Sequence, residues 1–150
     1  MRSLAIALFL AGTTPTLVGA QGGRWEGQVR AQLQRAVAAL RGGGGSAGSS
    51  RGRGAVLMRT GTLNGDEGQS FDITLQSGVQ YTVIGVCDDD CSNLHLVLGN
   101  AAGNEVAAER SSENLPVLRV IPRETLRYRV KVVMAGCRMN PCWYGVAVYE

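Results

Sequence analysis

The sequence predicts a mainly β protein: an antiparallel β-sandwich or jelly roll of about eight strands, preceded by an amphipathic N-terminal helix. Three observations carry that prediction. Apolar and polar residues alternate in short runs after Ala55, turn residues separate those runs, and a helical period occurs only before Gly42. The chain has 150 residues, of which 45% are hydrophobic and 18% charged. That supports one domain with accessory segments and excludes two full-sized domains.

The first element is a leader. Met1-Arg2-Ser3 is a short positive start, Leu4 to Leu10 is apolar, and Val18-Gly19-Ala20 offers small residues at a cleavage position. Residues 1–20 therefore read as a secretory signal peptide. Thr13, Thr14, Pro15 and Thr16 interrupt the apolar run, which argues against an uncleaved anchor. The expected location is periplasmic or secreted.

The second element, residues 21–41, is a basic amphipathic helix. Trp25, Val29, Leu33, Ala36, Val37 and Leu40 recur at steps of three and four, with Arg30, Arg35 and Arg41 outside that arc. The apolar stripe needs a cover. A protein partner is the first expectation, the chain's own sandwich the second, and a lipid surface the third. Trp25, Val29, Leu33, Val37 and Leu40 are thus the candidate partner-binding residues. Residues 42–54 follow as a Gly/Ser-rich linker of random-coil character.

The third element, residues 55–150, is the sandwich. Strands are expected near 55–59, 69–75, 80–87, 93–98, 104–109, 115–121, 126–134 and 143–149. The plainest case is Leu126-Arg127-Tyr128-Arg129-Val130-Lys131-Val132, apolar on one face and basic on the other. Asn64-Gly65-Asp66, Ser77-Gly78, Gly99-Asn100 and Met139-Asn140-Pro141 supply the turns.

Charge is unevenly divided. Residues 21–53 carry six Arg and one Glu, whereas residues 54–150 carry eight basic and eleven acidic side chains. The whole chain has a net charge of only +3, too small for bulk nucleic-acid binding.

Four cysteines, Cys87, Cys91, Cys137 and Cys142, form two close pairs. In an oxidising compartment they should be disulfides. Three connectivities exist. Pairing of neighbours suits the short turns that each pair brackets and contributes about 2 kcal/mol per bridge, whereas crossed bridges would contribute about 4 kcal/mol. A four-thiolate zinc site is the rival use of the C-x3-C and C-x4-C spacings, and export argues against it.

The string Tyr81 to Leu98, YTVIGVCDDDCSNLHLVL, is followed by Tyr128-Arg129-Val130-Lys131-Val132 and by Pro141-Cys142-Trp143-Tyr144-Gly145-Val146. This resembles the bacterial pre-peptidase C-terminal domain and its free-standing, cysteine-containing exported relatives over about residues 60–149. The resemblance implies a small β-sandwich without catalytic function, found beside exported enzymes or alone. Some members bind calcium. Here Asn93-Leu94-His95-Leu96 stands where the family often has Asp-Leu-Asp-Leu, which removes two anionic oxygens.

Candidate chemistry is sparse. Asp88, Asp89 and Asp90 are the candidate calcium ligands, since hard cations take several carboxylate oxygens. The plainer reading is a solvated acidic turn. His95 is the one histidine, and its alternation with Leu94 and Leu96 puts it on the face away from the core. No G-x-S-x-G elbow accompanies it, so no catalytic residue is assigned. Gly42 to Gly45 lack the G-K-[ST] of a phosphate loop. Arg127, Arg129 and Lys131 form a basic row that suits an anionic sugar or lipid headgroup, or simply a soluble outer face.

The expected function is that of a non-catalytic extracytoplasmic binding or structural module. It would be an accessory subunit docking through its N-terminal helix on a membrane-associated or exported protein assembly. A calcium- or carbohydrate-binding sandwich is the alternative. The expected partner is a protein, with an anionic membrane surface second and nucleic acid excluded.

Overall fold

The computed structural model describes residues 20–42 and 55–150, with the side chains of the first segment described from 23 to 40. The leader, apart from Ala20, and the linker, apart from Gly42, lie outside the described residues. Helix α1 (Ala20–Gly42) is followed by β1 (Ala55–Leu63), β2 (Gly68–Leu75), β3 (Tyr81–Cys87) and β4 (Cys91–Asn100). Then come β5 (Glu105–Glu109), β6 (Val117–Val120), β7 (Leu126–Cys137) and β8 (Cys142–Tyr149). Every expected strand is present, and the helix starts earlier than its apolar stripe. Among the described residues no helix is long and apolar enough to cross a membrane.

The strands form two four-stranded sheets, ordered β1-β8-β3-β6 and β2-β7-β4-β5, with all pairings antiparallel. β7 follows its alternation. Tyr128, Val130, Val132 and Met134 point into the core while Arg127, Arg129 and Lys131 stay exposed. Leu94, Leu96 and Leu98 of β4 face the same core, opposed by Val83, Tyr144, Val146 and Val148 of the other sheet. One hydrogen bond spans the two sheets, from the Tyr144 hydroxyl to Gln69 Oε1 at 2.5 Å. In the turns, Gly78 (φ 76°) of the Ser77-Gly78 pair and Gly103 (φ 84°), three residues after Asn100, adopt left-handed backbone that a Cβ would strain.

β3 and β8 break the alternation. All seven residues of β3 are buried, as are all of β8 except partly exposed Trp143. The reason is that these are the central strands of a sheet covered on both faces. One face meets the other sheet. On the outer face, Ile84, Val86, Ala147 and Tyr149 meet Val29 and Leu33 of α1. The molecule is therefore three layers: helix, covered sheet, open sheet.

The cover for the helical stripe is thus the chain's own sandwich, the option ranked second from the sequence. Val29 and Leu33 are 0% exposed, and Ala36, Val37 and Leu40 pack around them. Burying Val29 and Leu33 stabilises docking by about 1.5–3 kcal/mol each. That offsets the cost of about 1 kcal/mol for each of the interior helical glycines, Gly22, Gly23 and Gly27. Gly145 makes the approach possible. A Cβ there would lie 2.9 Å from Val29 Cγ1 and 3.3 Å from Leu33 Cδ2.

Candidate functional site

Two regions collect the polar chemistry. The first is the pole of the sandwich where β3, β4, β7 and β8 turn. Cys87–Cys91 and Cys137–Cys142 are bonded, so the neighbouring pairing holds. Each bridge joins the end of a strand in one sheet to the start of a strand in the other. Cys91 and Cys137 are also direct partners across β4 and β7, which puts the two bridges side by side.

The acidic turn lies at this pole, and its three side chains are not gathered around one point. Asp88 is 4% exposed, and its Oδ2 accepts a 2.8 Å hydrogen bond from the Trp143 amide. Asp89 Oδ2 accepts from Gln28 Nε2 of α1 at 3.3 Å. The Asp90 carbonyl accepts from the Arg138 amide at 2.8 Å, and the Arg138 guanidinium donates to the Asp89 carbonyl. Among the described residues no group of three His, Cys, Asp or Glu is arranged to hold a metal ion. Asp88 and Asp89, the candidate calcium ligands with Asp90, thus fasten β8 and α1 to the disulfide pole.

The candidate partner-binding residues are also placed. Val29 and Leu33 are enclosed, and Val37 and Leu40 are half-buried beside them. Trp25 is half-buried, with the Arg24 guanidinium 5.7 Å from its ring centroid. In the docked helix Val29, Leu33, Val37 and Leu40 face the sandwich. His95 lies on the outer face of the open sheet, paired with Val133 across β4 and β7, and its Nε2 has no hydrogen-bond partner among the described residues.

The second region is the outer face of the open sheet. Register aligns Ser70, Lys131 and Val97 in one row across β2, β7 and β4. The next row is Asp72, Arg129 and Gly99, with Glu105 of β5 beyond. Between the rows lies a concavity of about 330 Å³. Gly99 gives it depth because no side chain rises from the floor. The β4–β5 turn forms one wall. That wall is fixed by Asn100 Oδ1, which accepts from the amides of Ala102 (3.1 Å) and Asn104 (2.9 Å).

Electrostatics sort the groups around this cup. Arg129 Nε donates to Asp72 Oδ1 at 2.9 Å, and Arg127 lies 3.9 Å from Asp72 Oδ2. The Arg129 hydrogen bond holds the Asp72 carboxyl below the usual carboxylate range. Arg110 grips both oxygens of Glu105, at 2.9 and 2.5 Å, and holds its carboxyl low in the same way. Both anions are therefore charged at neutral pH, with both oxygens of Glu105 and the Oδ1 of Asp72 engaged as acceptors. The basic row was legible in the sequence. The cup was not, because Gly99, Asn100 and Ser70 join that row only through register.

No family model and no curated protein matches the chain. Among solved structures, it is similar to the pre-peptidase C-terminal domain of a collagenase from Bacillus anthracis. Identity is 14%, coverage 61% of this chain and 87% of that one, and the TM-score 0.49. It is also similar to a periplasmic inhibitor of g-type lysozyme from Aeromonas hydrophila. There identity is 10%, coverage 61% and 84%, and the TM-score 0.41. The family that the string from Tyr81 resembles is thus among the similar structures.

Proposed function

We propose that this chain is a non-catalytic binding module that works outside the cytoplasm, and that it binds through the outer face of its open sheet. The observation that carries this is the asymmetry of the two outer faces. One is sealed by α1, with Val29 and Leu33 fully buried. The other is uncovered and presents Arg127, Arg129 and Lys131 beside a preformed cup. The helix then completes the fold, and the sandwich carries the contact surface. The two disulfides fit an oxidising compartment. An accessory role on an exported or membrane-associated assembly agrees with this reading.

Site-specific photo-crosslinking in the producing cell tests it. A crosslinker at Ser70 should yield adducts, and one at Gln34, exposed on α1 beside Met58 of β1, should not. Adducts at Gln34 and none at Ser70 would place the contact surface on the helix and end this reading.

A further inference from the structure

We propose that the cup on the open sheet is a binding site for a small polar molecule carrying a phosphate or sulfate group. This rests on the open sheet being the binding face and goes on to name the ligand class. The donor inventory decides it. Arg129 spends only its Nε on Asp72, so its terminal nitrogens have no partner among the described residues. Asp72 thereby fixes the guanidinium in place without consuming it. Asn100 spends its Oδ1 twice on the turn, which leaves its amide nitrogen as a donor. Lys131, the one lysine of the chain, makes no ion pair among the described residues. Ser70 adds a hydroxyl from β2.

The acceptors of the cup are meanwhile withdrawn. Both oxygens of Glu105 are held by Arg110. A concavity rich in free donors and poor in free acceptors selects an anion. The donors come from three strands: β2 gives Ser70, β7 gives Arg129 and Lys131, and β4 gives Asn100. A tetrahedral group with three acceptor oxygens answers such a spread better than a planar carboxylate. No aromatic ring lines the cup, so a neutral sugar has no stacking platform. Its volume of about 330 Å³ sits at the low end of ligand pockets and suits a molecule of monosaccharide size.

The oxyanion has two sources, a soluble phosphorylated or sulfated sugar and a lipid headgroup. Calorimetry on the disulfide-bonded full-length chain with glucose 6-phosphate, glucose 6-sulfate and glucose tests the first. Cosedimentation with phosphatidic acid vesicles, against phosphatidylcholine vesicles, tests the second. Saturable binding of a charged sugar with none of glucose, or cosedimentation with phosphatidic acid alone, is the expected result. The ligand should also protect Lys131 from an amine-reactive label, read by mass spectrometry. Lys131→Met should weaken binding about tenfold, the loss of one charge-assisted hydrogen bond. Gly99→Leu should fill the cup and abolish binding. Its Cβ meets only ordinary contact, 3.5 Å from the Asn104 carbonyl, so the backbone tolerates it. Absence of saturable binding to every one of these anions would overturn the proposal, as would binding indifferent to Lys131→Met. Either result leaves the crosslinking pattern at Ser70 untouched, so failure of the ligand class and failure of the binding face are told apart.

Discussion

Val29 is seated on the bare backbone of Gly145, so closely that a single added methyl group would come within 2.9 Å of its Cγ1. That contact links the helix to the central strand of the covered sheet. Gly145→Ala should destabilise the protein by about 1–3 kcal/mol, the usual cost of overpacking. Chemical denaturation measures the loss. Adding Val29→Ala should restore part of it, because the smaller side chain yields room. If Gly145→Ala leaves stability unchanged, α1 does not hold this position in solution.

The register of β7 gives a second test. Val130→Asp should unfold the domain, because an unpaired buried charge costs several kcal/mol. Arg129→Glu, one residue away on the exposed face, should shift the melting midpoint far less. Circular dichroism melts decide between them. A reversed outcome would mean a register slipped by one residue, which exchanges the faces of the strand.

Legibility in the sequence followed the local period. β7 was readable because polar and apolar residues alternate strictly from Leu126 to Val132. The stripe from Trp25 to Leu40 was readable for the same reason at a helical period. What covers that stripe was not, although a signal was present. Val83-Ile84-Gly85-Val86 and Trp143 to Tyr149 are nearly continuous apolar runs, which mark strands buried on both faces. Read together with the stripe, they call for a layer outside the sheet. The cup depended on long-range pairing of β2, β4, β5 and β7, which no short window contains.

The disulfides provide a third test. A non-reducing peptide map should recover Cys87 with Cys91 and Cys137 with Cys142. Replacing Cys137 and Cys142 by Ser should cost about 2 kcal/mol, since the bridge closes only a short loop. A crossed pair in the map would contradict the arrangement described.

Tyr144 gives a fourth. It is fully buried, and burial pushes its phenol above the ordinary tyrosine range. The unfolded chain therefore loses this proton first, and the stability that the neutral phenol contributes falls as pH rises past about 10. Tyr144→Phe should flatten that alkaline decline relative to wild type. At neutral pH it should cost about 1 kcal/mol through loss of the bond to Gln69. Urea titrations repeated from about pH 8 to about pH 11 read both effects.

Both covalent bridges lie at the same end of the sandwich, where β3 passes to β4 and β7 to β8. The opposite end, with the turns at Gly78 and Gly103 and the entry to β7, carries no covalent bridge among the described residues and is tied by hydrogen bonds and packing. The sandwich is thus riveted at its base and merely zipped at its mouth. Amide protons should exchange in a gradient, slowest beside Cys91 and Cys137 and fastest around Asn100 and Gly103. The cup is built at the mouth, so whatever settles there would act as the missing rivet.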